Sequence, residues 1–118
     1  MILDIEIDSS RPIYQQIAME IRGGIVSGSI DPGDRLPPGR ELAAALGVNL
    51  ETVQRAYRLL SDDGIVTSRV GRGTRIAEDI DPDRLRIDSL VGDLVEKAQS
   101  IGMTLETLTK TLSKQWKT

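Results

Sequence analysis

The 118-residue chain contains no cysteine and no histidine. Those two absences remove the thiolate nucleophile, the imidazole metal ligand and the side chain best suited to proton transfer near neutral pH, so an enzyme is the least supported reading. Phenylalanine is missing too, and one Trp and two Tyr are the only aromatics, so the core must be built from Ile, Leu and Val. No apolar run approaches the roughly 20 residues of a membrane span. Met1 leads into the alternation Ile2-Leu3-Asp4-Ile5-Glu6-Ile7-Asp8 instead of a basic and apolar leader. The glycines do not form the phosphate-binding pattern that ends in Lys-Ser or Lys-Thr, which leaves an NTPase unsupported. The expectation is a cytoplasmic protein without catalysis, metal, cofactor or membrane partner.

What remains is ordinary globular material, 39% hydrophobic and 28% charged, enough for one modest domain or a domain of about 80 residues with a helical appendage. The net charge of −3 conceals an uneven distribution. Residues 1–34 hold two Arg against six acids, whereas residues 35–75 hold seven Arg against four acids. Every cation before Lys97 is Arg, the residue that grips phosphate or guanine in two-point contact. The middle of the chain is therefore suited to nucleic acid in spite of the overall sign.

Local patterning gives the elements. Residues 2–7 alternate with the period of a strand, and Ser10 ahead of Pro12 reads as a helix cap. Ile13, Ile17, Ile21 and Ile25, with Tyr14 and Ala18, then mark an amphipathic helix ended by Gly28. Residues 27–34 are loop chemistry, and Arg40–Leu46 form a short second helix stopped by Gly47. Asn49 caps a third helix running from Leu50 to about Asp63, and Gly64 precedes a hairpin in which residues 65–69 face 74–77 across 70–73. Beyond Asp81-Pro82, a fourth helix carries Ile87, Val91, Leu94, Ala98 and Ile101 at alternating steps of four and three. Thr104 caps a fifth helix that carries Leu105, Leu108, Leu112 and Trp116 on one stripe. The expected fold is mainly α with a small β-wing: a winged helix-turn-helix over residues 1–78 and two further helices over 79–118.

In such a fold the third helix enters the major groove while the second holds it across the backbone. The exposed early turns of the third helix carry Asn49, Thr52, Gln54 and Arg55, with Val53, Ala56, Tyr57 and Leu60 on the buried side. Gln and Asn can pair two ways with adenine, and Arg with guanine or phosphate. Two plainer roles stand beside these: Asn49 as a helix cap, and Arg55 paired to Glu51 one turn back. Gly71-Arg72-Gly73 at the hairpin tip permits positive φ on both sides of Arg72, lifting it toward a minor groove or phosphate, or else forming an ordinary tight turn.

These residues resemble the GntR family of winged helix-turn-helix regulators. The resemblance rests on Pro12-Ile13-Tyr14-Gln15-Gln16-Ile17, Pro32-Gly33-Asp34-Arg35-Leu36-Pro37, Arg40-Glu41-Leu42-Ala43, Leu46-Gly47-Val48-Asn49, Thr52-Val53-Gln54-Arg55-Ala56-Tyr57 and Gly71-Arg72-Gly73-Thr74. The short tail resembles that of the YtrA-like branch, which implies a homodimer whose seam is formed by Ile87, Val91, Leu94, Ala98, Ile101, Leu105, Leu108, Leu112 and Trp116. The resemblance places Arg40, Asn49, Gln54, Gly71, Arg72, Gly73 and Thr74 at DNA-contacting positions, with Arg35 and Arg55 also carried over. Three positions depart from the family. Pro38 stands where a capping Ser is usual, Leu50 where Arg or Pro is usual, and Glu51 follows it. The implied function is repression at a palindromic operator on double-stranded DNA, with control of a transporter operon suggested by the branch. A winged helix serving as a protein-interaction module and a regulator that senses a small-molecule effector near the C-terminal helices are the rivals; the residues name no effector.

Overall fold

Isoleucine at every fourth position draws the first helix. In the computed structural model, which describes residues 5–8 and 10–117, α1 runs Ile13–Ser27 and buries Ile17, Ala18, Ile21 and Ile25 along one face. Pro12, not Ser10, occupies its N-cap, and no side chain caps it. The Ser10 hydroxyl turns back to the Asp8 carboxylate instead. Among the described residues of the expected edge strand, Ile5–Ile7 have no strand conformation, and its remaining positions lie outside the described residues.

α2 (Gly39–Leu46) and α3 (Leu50–Asp62) follow, joined by three residues. Gly47 adopts φ +68° and returns its N–H to Ala43 and Ala44, closing α2. Val53, Ala56 and Leu60 form the buried face of α3, which packs on both α1 and α2. The exposed Arg22–Asp63 ion pair links α1 to the end of α3, and a pair so open to water adds little stability.

β1 (Val66–Arg69) and β2 (Gly73–Ile76) pair antiparallel, Val66 opposite Ile76 and Arg69 opposite Gly73. The hairpin has a third participant. Ile76 N–H donates to Asp34 O at 2.8 Å and Leu36 N–H to Thr74 O at 2.8 Å, which sets Arg35 opposite Arg75. The segment before α2 is thus stitched to the wing as a one-bridge strand, where the sequence suggests only loop up to Asp34. Leu36, Ile65, Val66 and Ile76 bring this small sheet into the core formed by α1 and α3. No polar or charged residue is buried among those described.

Contacts divide the chain into two compact units, Met1–Pro82 and Asp83–Thr118. α4 spans Pro82–Ser100 and α5 spans Leu105–Gln115. Gly102 turns between them at φ +73°, Met103 N–H closes on Ala98 O, and the Thr104 hydroxyl accepts from Thr107 N–H as the expected cap. Of the apolar stripe positions, Ala98 and Leu108 are buried. Ile87, Val91, Leu94, Ile101, Leu105, Leu112 and Trp116 are exposed. Among the described residues no helix is long and apolar enough to cross a membrane.

Candidate nucleic-acid interface

Three elements converge on one groove. Arg40 comes from the first turn of α2, Gln54 and Arg58 from successive turns of α3, and Ser68 and Thr74 from the two wing strands; together they line a hollow of about 670 Å³. Gln54 and Arg58 share a face because they are four residues apart. The wing side is finished by a hydroxyl–hydroxyl hydrogen bond of 2.9 Å between Ser68 and Thr74. This surface offers guanidinium, amide and hydroxyl groups and no carboxylate, a donor-rich composition suited to base edges and phosphates.

Tyr57 fixes the relation between α3 and the chain entering α2. Its hydroxyl donates to Pro37 O at 2.7 Å, and burial, with the Glu41 carboxylate nearby, raises its pKa to about 12. The phenol therefore stays neutral and keeps this bond at any physiological pH.

Asn49 occupies the N-cap of α3, yet its side chain makes no capping bond and stays exposed. The side-chain cap expected from sequence is not made, although the Asn49 carbonyl accepts from Thr52 and Val53 N–H as an N-cap carbonyl does. The amide is left facing solvent. Arg55 does not pair with Glu51; its guanidinium lies over the Tyr14 ring at 3.9 Å, in a hollow of about 300 Å³ shared with Thr52 and Ile13. Charge and ring attract more favourably here than an exposed i,i+4 ion pair.

At the wing tip Gly71 and Gly73 have φ of +80° and +70°, flanking Arg72 as the sequence suggests. Gly73 is further constrained, since a Cβ there would stand 3.2 Å from Nε and Nη2 of Arg35. The structure thus gathers Arg40, Gln54 and Thr74 in the main groove, and Thr52 with Arg55 in a second hollow. Arg35, Gly71, Arg72 and Gly73 lie on the wing. Sequence reasoning passed over Arg58, Ser68, Arg69, Arg75 and Tyr14. The four-residue step from Gln54 points to Arg58, and strand alternation from Thr67 points to Arg69.

The sequence profile of the bacterial regulatory proteins of the gntR family matches residues 13–76. The chain belongs to the gntR family. Helices α1 to α3 and the wing are the family's winged helix-turn-helix, and the family is one of transcription regulators, not enzymes. Among GntR relatives, the chain is 39% identical over 109 residues to the uncharacterized HTH-type transcriptional regulator YhcF of Bacillus subtilis, covering 88% of this chain and 89% of that one. It is 37% identical over 111 residues to the HTH-type transcriptional repressor YtrA of the same organism, covering 88% and 85%. The structure of YtrA from Sulfolobus acidocaldarius, a GntR-family transcription factor, superposes with TM-score 0.62 at 36% identity over 85% of this chain and 99% of that one. The DNA-binding domain of AraR in complex with operator ORR3 superposes with TM-score 0.55 at 32% identity over 62% of this chain and 88% of that one.

Proposed function

We propose that the protein is a cytoplasmic transcriptional repressor that binds a palindromic operator as a homodimer, residues 1–78 contacting DNA and residues 79–118 forming the dimer seam. The observation that carries the reading is the groove in which Arg40, Gln54, Arg58, Ser68 and Thr74 from three separate elements meet on one donor-rich surface. A recognition helix and wing presented in this way fit a major groove and its neighbouring minor groove. Arg35, Asn49, Thr52, Arg55 and the Gly71–Gly73 tip extend the contact surface on either side. Similarity to a relative named as a repressor and to a DNA-binding domain seen on its operator supports the same conclusion.

The dimer rests on the apolar positions that one chain leaves open. Val91 is 50% exposed, Leu112 52% and Trp116 79%, and helices of this length gain most of their stability from packing. Two copies would cover them and place the recognition helices about one DNA turn, roughly 34 Å, or a multiple of it apart. Control of a transporter operon is part of the same reading, supported by the resemblance of the tail to the YtrA-like branch. Footprinting on the DNA upstream of its own gene tests the reading. Two protected half-sites related by a dyad are expected, with Arg40→Ala and Arg72→Ala weakening all sites alike and Gln54→Ala relaxing preference at one base pair by about 1–3 kcal/mol. Unchanged binding in all three folded variants would remove DNA from the assignment.

A further inference from the structure

The wing has two faces with different chemistry. Strand side chains alternate, so Val66, Ser68, Thr74 and Ile76 share one face. Val66 and Ile76 reach the core, and Ser68 and Thr74 line the groove beside α3. Thr67, Arg69 and Arg75 take the opposite face, and Arg35 joins them because it sits directly across from Arg75. With Arg72 from the tip, these residues line a separate cleft of about 720 Å³, in whose lining Glu78 and Asp79 also stand.

This arrangement costs the free protein energy. Like charges directly opposite on neighbouring strands repel. Among the described residues, neither Glu78 nor Asp79 forms an ion pair with Arg35, Arg69, Arg72 or Arg75. Arg75 makes one long bond, 3.4 Å, to Gly33 O, which neutralises nothing. Three guanidiniums on one exposed face and a fourth at the adjoining tip are thus held without counter-charge at contact distance, a configuration relieved by an incoming anion.

We propose that this outer face of the wing is a second phosphate-binding surface, taking the DNA backbone on the side of the wing away from the recognition helix. The inference rests on the operator-binding reading above. The cations are spread over neighbouring strands and exposed, not converged on a point, so they match an extended polyanion better than one small anion. Arg35, Arg69 and Arg75 also face away from the groove, so the backbone they meet lies beyond the base pairs that Gln54 reaches.

The test uses the full chain and two duplexes carrying the footprinted operator, one trimmed to the footprint of the recognition helices and one extended by a helical turn at each end. The wild type gains roughly tenfold in affinity on the extended duplex, and R69Q/R75Q loses that gain while binding the trimmed duplex as before. On the extended duplex the slope of log K against log salt becomes shallower by about 4, close to one unit for each of the two phosphate contacts that each protomer of the dimer loses. Without DNA the double variant melts no lower than the wild type, because a repulsion has been removed. Equal losses on both duplexes, no loss on either, or a lowered melting temperature would overturn the proposal. So would inorganic phosphate stabilising the wild type alone while the extension gain persists in the variant, since the cleft would then serve a small anion. Failure to footprint any operator would defeat the operator reading itself, whereas a wild type that bound both duplexes equally would defeat only this one.

Discussion

The guanidinium carbon of Arg55 stands 3.9 Å from the centroid of the Tyr14 ring, joining the first turn of α1 to the second turn of α3. A guanidinium stacked by its face keeps its in-plane donors available for phosphate. Tyr14→Leu and Arg55→Ala are expected to couple by about 0.5–1 kcal/mol in a double-mutant cycle read by chemical denaturation, and Tyr14→Phe to preserve that coupling. Strictly additive losses would mean that the two side chains are neighbours without interacting.

Tyr57 links stability to high pH. Its folded pKa, raised to about 12 by burial and by the Glu41 carboxylate, exceeds the unfolded value of about 10. The folded chain therefore holds this proton more tightly than the unfolded one, and the associated stability is complete below pH ~10 and is lost as pH rises through ~12. Denaturation midpoints measured across that window should fall for the wild type and fall less for Tyr57→Phe. At neutral pH the same substitution costs about 1 kcal/mol through the hydrogen bond to Pro37 O.

The two wing glycines separate backbone strain from crowding. Gly71 has φ +80° with open space around its absent side chain, so Gly71→Ala should cost about 1 kcal/mol from conformation alone. Gly73→Ala adds a Cβ at 3.2 Å from the Arg35 guanidinium and should cost measurably more. Combining Gly73→Ala with Arg35→Ala should bring its cost back to the Gly71 level. Equal costs for the two single glycine variants in urea titrations would show that Arg35 yields freely.

Leu94→Asp is expected to leave the helical content of each chain intact and to separate the dimer. At 39% exposure the site in one chain tolerates a charge, whereas an apolar seam between two chains does not. Losing the second half-site contact should weaken operator binding by 10²-fold or more, roughly 3 kcal/mol. Sedimentation and gel-shift titration of the same samples decide it, and a variant that sediments as a dimer places the interface elsewhere.

The helices were legible because their signals are local. Isoleucine spacing drew α1, Gly47 and Gly102 marked turns, and Thr104 capped α5 as read. The failures had non-local causes. Nothing in Arg35-Leu36 announces that it pairs with β2, since the partner lies some forty residues away and Pro37 ends the segment at once. Arg55 was open to a choice between Glu51 and a ring on another helix, which only tertiary packing makes. Ser10 looks like a cap but is two residues too early, because Pro12 already meets the geometry of an N-terminus without a side-chain bond. Arg58 lies a turn further along α3 than the first residues of a recognition helix, where sequence alone does not separate a groove-facing arginine from a solvated one.

The bond from Leu36 N–H to Thr74 O has a mechanical consequence. It ties the wing to the chain three residues before α2 begins, while Tyr57 clasps Pro37 from α3. The parts that would straddle two adjacent DNA grooves are braced against one another like the legs of a caliper whose opening is set. A site whose grooves do not match that opening would have to deform to meet it. Sequences with easily deformed pyrimidine–purine steps beneath the wing would then be favoured with no base there being touched.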